Sequence, residues 1–149
     1  MRKMKGEWIF TAADTFSLDM VLSPIIAAGL KKFLEVVKDH PYAGVSNKFI
    51  MENGLDTHTE EDMVKAVALW REAIEKMVYA FEAEEPEYSY GFVDGPDHGK
   101  KIDHNCTIWD KIPDNPEAWE LYTKQMKEHN EKQAEGHLLF GKYYTGLWW

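Results

Sequence analysis

The sequence predicts an all-α protein, a helical bundle of about three long helices with a short extended N-terminal arm and a long irregular insertion at residues 83–116. Three segments carry apolar residues at steps of three and four, which is the period of an amphipathic helix. Of the 149 residues, 44% are hydrophobic and 29% are charged, a balance typical of a folded chain. This length predicts a single helical domain over residues 1–149, with a mobile insertion at 83–116.

The N-terminal arm and the first helix come first along the chain. Residues 8–10 predict a short extended arm packed across the bundle. The first helix begins near Ser17, a capping residue, and ends near residues 38–40; Asp19 places a carboxylate at the positive end of its dipole. Pro24 either kinks one long helix or begins a second one. Gly29 weakens a helix, so we expect another backbone close to it. The apolar stripe consists of Leu18, Leu22, Ile25, Ile26, Leu30, Phe33, Leu34 and Val37.

The second long helix follows a connection over residues 41–56, which contains one predicted short helical turn near 47–51. Thr57 and Glu60 have capping-box spacing, and Thr59 with Asp62 offers an alternative frame. About six turns with a single apolar face follow. The stripe is Met63, Val67, Trp70, Ile74, Met77 and Phe81, and the opposite face carries Glu60, Glu61, Lys65, Glu72, Glu75 and Lys76.

The insertion and the third long helix complete the chain. A loop as long as residues 83–116 is mobile, a flap or a small hairpin, and we favour a hairpin that turns at Asp94–Gly95. The third helix begins at Asn115–Pro116, a cap followed by proline at the first helical position. One side of it carries Trp119, Tyr122, Met126, His129, Gln133, His137 or Gly136, Phe140, Tyr144 and Leu147. The apolar, aromatic end over residues 138–149 predicts burial against the first helix or in a subunit interface. We also expect a homo-oligomer.

Charge and motifs exclude several function classes. The chain has 26 acidic and 17 basic residues, a net charge of -9 and only two arginines, which argues against a duplex nucleic acid partner. The longest apolar stretch, residues 20–30, is too short to cross a bilayer, and no secretory signal is visible; we expect a cytoplasmic protein without a membrane partner. The sequence contains no glycine-rich phosphate loop. The single Cys106 excludes a disulfide framework and cysteine-rich zinc sites.

Side chains able to bind a metal occur mainly in the insertion. Two Asp-His steps could gather an ion and support a metal-assisted hydrolase, although solvated loop residues are the simpler interpretation. Cys106 adjoins His104 in sequence, whereas a catalytic pair usually meets from separate elements. We therefore predict a protein that is not an enzyme, with no catalytic residue, metal or cofactor. The candidate metal ligands are Asp97, His98, Asp103, His104 and His129.

Aromatic residues give the chain a capacity for ligand stacking. It contains six Trp, seven Tyr and seven Phe. The segment Phe140–Tyr144 joins rings, hydroxyls and one ammonium group, which are the components of a pocket for a planar anionic ligand. The same rings at helical spacing also suit a core or a dimer contact. Both interpretations stay open at this point.

Three stretches of the chain resemble a family of small tailed-bacteriophage proteins. Residues 14–19 (Asp-Thr-Phe-Ser-Leu-Asp) with Gly29-Leu30-Lys31 are similar to its opening, Trp70 with residues 77–81 to its middle helix, and residues 139–148 to its close. Phe16 and Ala28 stand where that family usually has tryptophan and proline. The resemblance covers the helical segments but not residues 83–116. By analogy with phage proteins that counter bacterial immunity, it implies a non-enzymatic protein that sequesters a small nucleotide-derived signal.

The expected ligand contacts follow from this hypothesis. We expect phosphate contacts from the basic candidates, stacking from the aromatic ones, and base or ribose hydrogen bonds from the polar pair at the first helix. The alternative is an acidic interaction module that inhibits a host protein. The candidates are Arg71 and Lys142 for phosphate, Phe16, Tyr143, Tyr144 and Trp148 for stacking, and Ser17 and Asp19 for hydrogen bonds.

Overall fold

The chain forms two compact units. The computed structural model describes residues 18–39, 44–86, 92–101, 107 and 111–147, together with the backbone of strands 2–4 and 7–9. The first unit consists of Met1–Ala83 and Lys132–Trp149, and the second consists of Glu84–Glu131. Helices make up most of the protein, so the prediction of an all-α helical bundle is confirmed.

The three long helices lie close to their predicted positions. In chain order the elements are strands β1 (Arg2–Met4) and β2 (Glu7–Ile9), helices α1 (Leu18–Asp39), α2 (Asn47–Glu52) and α3 (Glu60–Glu82), strands β3 (Phe92–Asp94) and β4 (Lys111–Pro113), and helix α4 (Pro116–Tyr143), followed by a 3-10 turn over Tyr144–Gly146. The predicted short turn near residues 47–51 is α2. None of the described helices combines the length and the apolar composition that crossing a bilayer requires.

Side-chain caps fix where α3 and α4 begin. Thr59 is the N-cap of α3, and its hydroxyl oxygen accepts a hydrogen bond of 3.3 Å from the backbone N–H of Asp62. The Thr59 frame is therefore the one used. Asn115 caps α4 as predicted, because its side-chain oxygen accepts a 2.8 Å hydrogen bond from the N–H of Ala118. Each cap satisfies a backbone donor that the first helical turn leaves free.

The predictions made for Pro24 and Gly29 of α1 have different outcomes. The helix continues through Pro24, so a second helix does not begin there. The prediction that another backbone lies close to Gly29 is wrong, because within the described residues no atom lies within 4 Å of a Cβ built there. The close approach occurs at Gly136 of α4, where such a Cβ would lie 2.2 Å from the carbonyl oxygen of Lys76 on α3. Glycine is required there because it lets two helix backbones touch.

The core of the first unit lies where α1, α2, α3 and the end of α4 meet. Ile74 and Met77 of α3 are fully buried, as their place in the predicted stripe requires. Beside them, the rings of Phe49, Trp70 and Tyr143 pack with centroids 5.0 to 5.7 Å apart at tilted or edge-on angles, which aromatic quadrupoles favour. This contact fixes the end of α4 against α2 and α3.

The aromatic C-terminal segment is sheltered only in part. Leu139, Phe140 and Leu147 pack against the core, and Tyr143 belongs to it. Leu138 is 73% exposed and Tyr144 is 59% exposed, so the first helix does not bury these two side chains, and their burial in a subunit interface stays a prediction. Trp148 and Trp149 lie outside the described residues.

Short antiparallel strand pairs occur at both predicted non-helical places. In the first unit, β2 pairs with β1, and Trp8 and Ile9 are extended as predicted; Phe10 lies outside the described residues. In the second unit, β3 pairs with β4. The predicted antiparallel pairing in this segment is therefore present, but its turn is not at Asp94–Gly95, because the strand that pairs with β3 begins only at Lys111.

Candidate functional site

Of the predicted ligand-binding residues that the structure describes, two line the same cavity. Asp19 is exposed in the first turn of α1, and Arg71 is exposed on α3, where it pairs with Glu75 at 3.3 Å. Lys142 and Tyr143, at the end of α4, line one cavity. Tyr144 follows them in the chain but does not line it. Phe16, Ser17 and Trp148 lie outside the described residues.

The cavity that Lys142 and Tyr143 line has a volume of about 330 Å³. We call it the lysine cavity, because Lys48 of α2 and Lys142 of α4 both line it. Its size lies at the lower end of the range for small-molecule sites, roughly 300 to 1,000 Å³. The lining residues are Gly44, Val45, Ser46, Asn47 and Lys48 on one side, and Lys142, Tyr143, Thr145 and Gly146 on the other.

Two glycines shape the walls of the lysine cavity. Gly44 has a φ of +86°, a backbone conformation that side chains with a Cβ rarely adopt. The turn at Gly44 leads the chain into α2 and so positions Lys48. Gly146 lies so close to Ser46 that a Cβ there would be 2.7 Å from the Ser46 hydroxyl oxygen. Both walls therefore depend on backbone that other residues would displace.

A small charged network joins three lining residues of the lysine cavity to Glu52, which does not itself line it. Lys142 Nζ lies 2.8 Å from Glu52 Oε2, and the Tyr143 hydroxyl donates a hydrogen bond to the same oxygen. Lys48 Nζ donates a 3.2 Å hydrogen bond to the backbone carbonyl oxygen of Lys142. Both ammonium groups also lie over the Tyr143 ring, at 5.1 Å for Lys142 and 5.8 Å for Lys48, within the range of a cation–π interaction.

Tyr143 has a different role from the predicted one. Its side chain is only 4% exposed, its ring packs against Phe49 and Trp70, and both lysines lie over that ring. A planar ligand therefore finds no free face of this ring for stacking. Tyr143 instead supports the lysines with its ring and holds Glu52 with its hydroxyl.

The network fixes the charge state of its members at neutral pH. The hydrogen bond from Lys142, followed by that from Tyr143, lowers the pKa of Glu52, and the charge of Lys48 acts in the same direction. The same contact with Glu52 raises the pKa of Lys142. Burial, followed by the hydrogen bond to Glu52, raises the pKa of Tyr143. The network therefore contains two cations, one anion and one neutral hydroxyl donor.

The pKa of Tyr143 leads to a prediction for alkaline pH. An unfolded tyrosine ionises near pH 10, whereas folded Tyr143 keeps its proton to higher pH. The folded state then binds more protons than the unfolded state, so stability falls as pH rises through this interval. We expect Tyr143→Phe to be less stable than wild type at neutral pH, but to lose less stability as the pH rises above about 10.

Urea denaturation followed by circular dichroism at several alkaline pH values measures this difference. Tyr144→Phe is the matched control, because it removes a hydroxyl from the adjacent, exposed ring. The raised pKa of Lys142 contributes a similar alkaline loss. Its main cause, the contact with Glu52, is kept in every variant compared, whereas the smaller contribution of Tyr143 is removed in Tyr143→Phe and acts in the same direction as the expected effect. An alkaline loss in Tyr143→Phe as steep as that of wild type would contradict the prediction.

Sequence reasoning found one half of the lysine cavity and missed the other. Lys142 and Tyr143 belong to the aromatic–lysine segment, but Lys48 and Glu52 lie in a region interpreted as a connection. The spacing of Lys48 and Glu52, four residues apart, does place both on one face of α2. That spacing is common on solvated helices, so it indicates a charged face and no ligand.

The alternative metal site has little support within the described residues. Asp97 pairs with Lys100, and His98 Nε2 lies 3.6 Å from Asp94 Oδ1. In the described part of the chain, no three His, Cys, Asp or Glu side chains are grouped so that they could hold a metal ion. Asp103, His104 and Cys106 lie outside the described residues.

Known proteins add no further constraint on the site. Comparisons of this chain with protein-family models, with curated proteins and with solved structures find no match. The resemblance to the small tailed-phage proteins therefore stays a prediction. The interpretation of the lysine cavity depends on its geometry and charge.

Proposed function

We propose that this protein binds a small phosphate-bearing, nucleotide-type ligand in the lysine cavity and leaves it chemically unchanged. The observation that carries the proposal is that two lysines, from α2 and α4, line one cavity of a protein whose net charge is -9. Like charges are brought together at some electrostatic cost, and an anion at that position offsets it.

The donors around the cavity suit a phosphate group. Lysine is a common phosphate-binding side chain and acts as a compact point charge. Among the described residues, Lys48 forms no ion pair with a carboxylate, so its charge is not neutralised by direct contact. Ser46 and Thr145 line the same cavity and add hydroxyl donors. In this proposal the phosphate lies between the two lysines.

The biological role in the proposal comes from the phage resemblance. A phage protein that binds a nucleotide-derived signal in the cytoplasm of an infected bacterium lowers the free concentration of that signal and blocks antiviral immunity. The amount of signal that such a protein removes is proportional to its number of binding sites, and a homo-oligomer provides several sites per particle. The exposed Leu138 and Tyr144 support the assembly of copies, and light scattering of the purified chain measures it.

Isothermal titration calorimetry tests the binding function directly. The full chain is titrated with 5′-mononucleotides, with cyclic mono-, di- and trinucleotides and with cyclic ADP-ribose isomers, and the bound compound is then recovered and identified by chromatography. We expect saturable binding of at least one phosphate-bearing compound, recovered intact. No binding up to high micromolar concentration, or recovery of a converted product, would contradict the proposal.

An interaction module is the second candidate, because the second unit exposes apolar side chains. Trp119, in contact with Phe92 and Tyr122, is 52% exposed, and Val93, Ile112 and Leu121 are also exposed. Exposed aromatic clusters are typical of protein interfaces. Capture of one stoichiometric host protein by wild type, and its loss in Trp119→Ser, would support this function; equal capture by both would contradict it.

A further inference from the structure

We infer that Glu52 is a built-in competitor for the ligand: its carboxylate occupies the Lys142 and Tyr143 donors in the free protein, and the ligand phosphate replaces it. The inference rests on the proposed function and adds how the cavity sets its affinity. Glu52 Oε2 receives the Lys142 ammonium at 2.8 Å and the Tyr143 hydroxyl. A phosphate oxygen would accept hydrogen bonds from these same two groups.

The fold holds Glu52 loosely enough for this exchange. Its side chain is partly exposed, so the displaced carboxylate can be solvated by water. Glu52 is also the last residue of α2, a helix of only six residues. A carboxylate at the C-terminal end of a helix meets the negative end of the helix dipole, so α2 itself does not favour the charge there. The described contacts that hold the Glu52 carboxylate are therefore the ones a ligand would take.

Lys48 makes the exchange favourable, because the phosphate can contact it and Glu52 does not. Its charge acts on Glu52, but its hydrogen bond goes to the carbonyl oxygen of Lys142. Glu52 therefore contacts one of the two ammonium groups, whereas a phosphate between the lysines can contact both. A tetrahedral phosphate group spreads its oxygen acceptors more widely than a planar carboxylate, so it can accept hydrogen bonds from both lysines at once.

Competition from within the same chain lowers the apparent affinity. A tethered group competes at an effective concentration on the order of millimolar, so a ligand at micromolar concentration must displace a far more concentrated carboxylate. Glu52→Gln removes the negative charge and keeps the shape of the side chain. We expect this variant to bind a phosphodiester about tenfold more tightly than wild type.

Calorimetry with 3′,5′-cyclic UMP tests the inference, because this phosphodiester carries a single negative charge, as Glu52 does. The matched control is Glu35→Gln on α1: Glu35 is exposed and pairs with Lys32 at 2.8 Å, the same separation as Glu52 and Lys142. Both variants lose one negative charge from the first unit. We expect a tenfold gain for Glu52→Gln and a change of less than about twofold for Glu35→Gln. Circular dichroism verifies that both are folded.

The possible outcomes separate the inference from the proposed function. Binding to Glu52→Gln that is equal to or weaker than binding to wild type overturns the competitor role while leaving the binding function intact. An equal gain in Glu35→Gln also overturns it, because the effect would then be a general one of net charge. If neither wild type nor Glu52→Gln binds cyclic UMP, the inference fails, and the proposed function fails with it only if the whole nucleotide panel gives no binding.

Discussion

Gly136→Ala is expected to lower the free energy of unfolding by about 3 kcal/mol, the upper part of the range for inserting a methyl group into a tightly packed contact. The added Cβ would lie 2.2 Å from the carbonyl oxygen of Lys76 and 2.6 Å from the Cβ of Ala80. The nearest of these atoms is backbone, so it cannot be moved by a change of rotamer. The helices α3 and α4 would have to separate at their closest point.

Helix propensity acts in the opposite direction and makes the comparison informative. Alanine is favoured over glycine within a helix by about 1 kcal/mol, so the steric effect must exceed that gain. Gly29 of α1 and Gly141 of α4 are matched controls, because no described atom lies within 4 Å of a Cβ built at either position. Both alanine variants are expected to be as stable as wild type or up to about 1 kcal/mol more stable.

Urea denaturation of the three alanine variants measures these free energies. The expected order places Gly136→Ala well below wild type and the two controls at or above it. A Gly136→Ala protein as stable as Gly141→Ala would mean that α3 and α4 are further apart than the structure places them. Loss of stability in all three variants would mean that the flexibility of glycine, and not a steric contact at Gly136, explains the effect of the substitution.

The glycines also show how far the sequence predicts this fold. Periodicity locates the helices and their stripes, because apolar residues must recur on the face that is buried; Trp70, Ile74 and Met77 are buried as predicted. Periodicity does not say which face meets which helix. Gly29 and Gly136 are the same residue type in helical segments, and only the tertiary contact distinguishes them. The sequence left Gly136 and His137 as alternatives for the buried side, and Gly136 is the buried one.

The candidate site was less predictable than the fold for a related reason. Lys142 and Tyr143 adjoin in the chain, so their combination is visible locally. Glu52 is 91 positions from Tyr143, and Lys48 is 94 positions from Lys142, and neither belongs to a motif. Their meeting depends on the packing of Phe49 and Tyr143, which joins α2 to the end of α4. The same packing buries the ring that was predicted to stack on a ligand.

Lys142→Met is expected to reduce nucleotide affinity by about 100-fold, and Lys48→Met by about tenfold, since a hydrogen bond to a charged group contributes roughly 1.5 to 3 kcal/mol. The two effects differ because the lysines have different partners. Lys48 donates its hydrogen bond to a backbone carbonyl oxygen, so its removal leaves no carboxylate without a hydrogen-bond partner. Removing Lys142 also leaves Glu52 without its ammonium partner. That carboxylate then repels the phosphate from a position next to the cavity.

The origin of the larger effect is testable by a second substitution. If repulsion by Glu52 accounts for the difference, then Lys142→Met combined with Glu52→Gln should bind about tenfold more tightly than Lys142→Met alone, since only the direct contact is then missing.

Lys32→Met is the charge control, because Lys32 pairs with Glu35 on the exposed face of α1. Calorimetry with the tightest-binding mononucleotide at two salt concentrations measures each affinity, and the difference between Lys48→Met and wild type should shrink at high salt. Equal losses for Lys32→Met and Lys142→Met would contradict a local site, because the ligand would then respond to net charge wherever it lies.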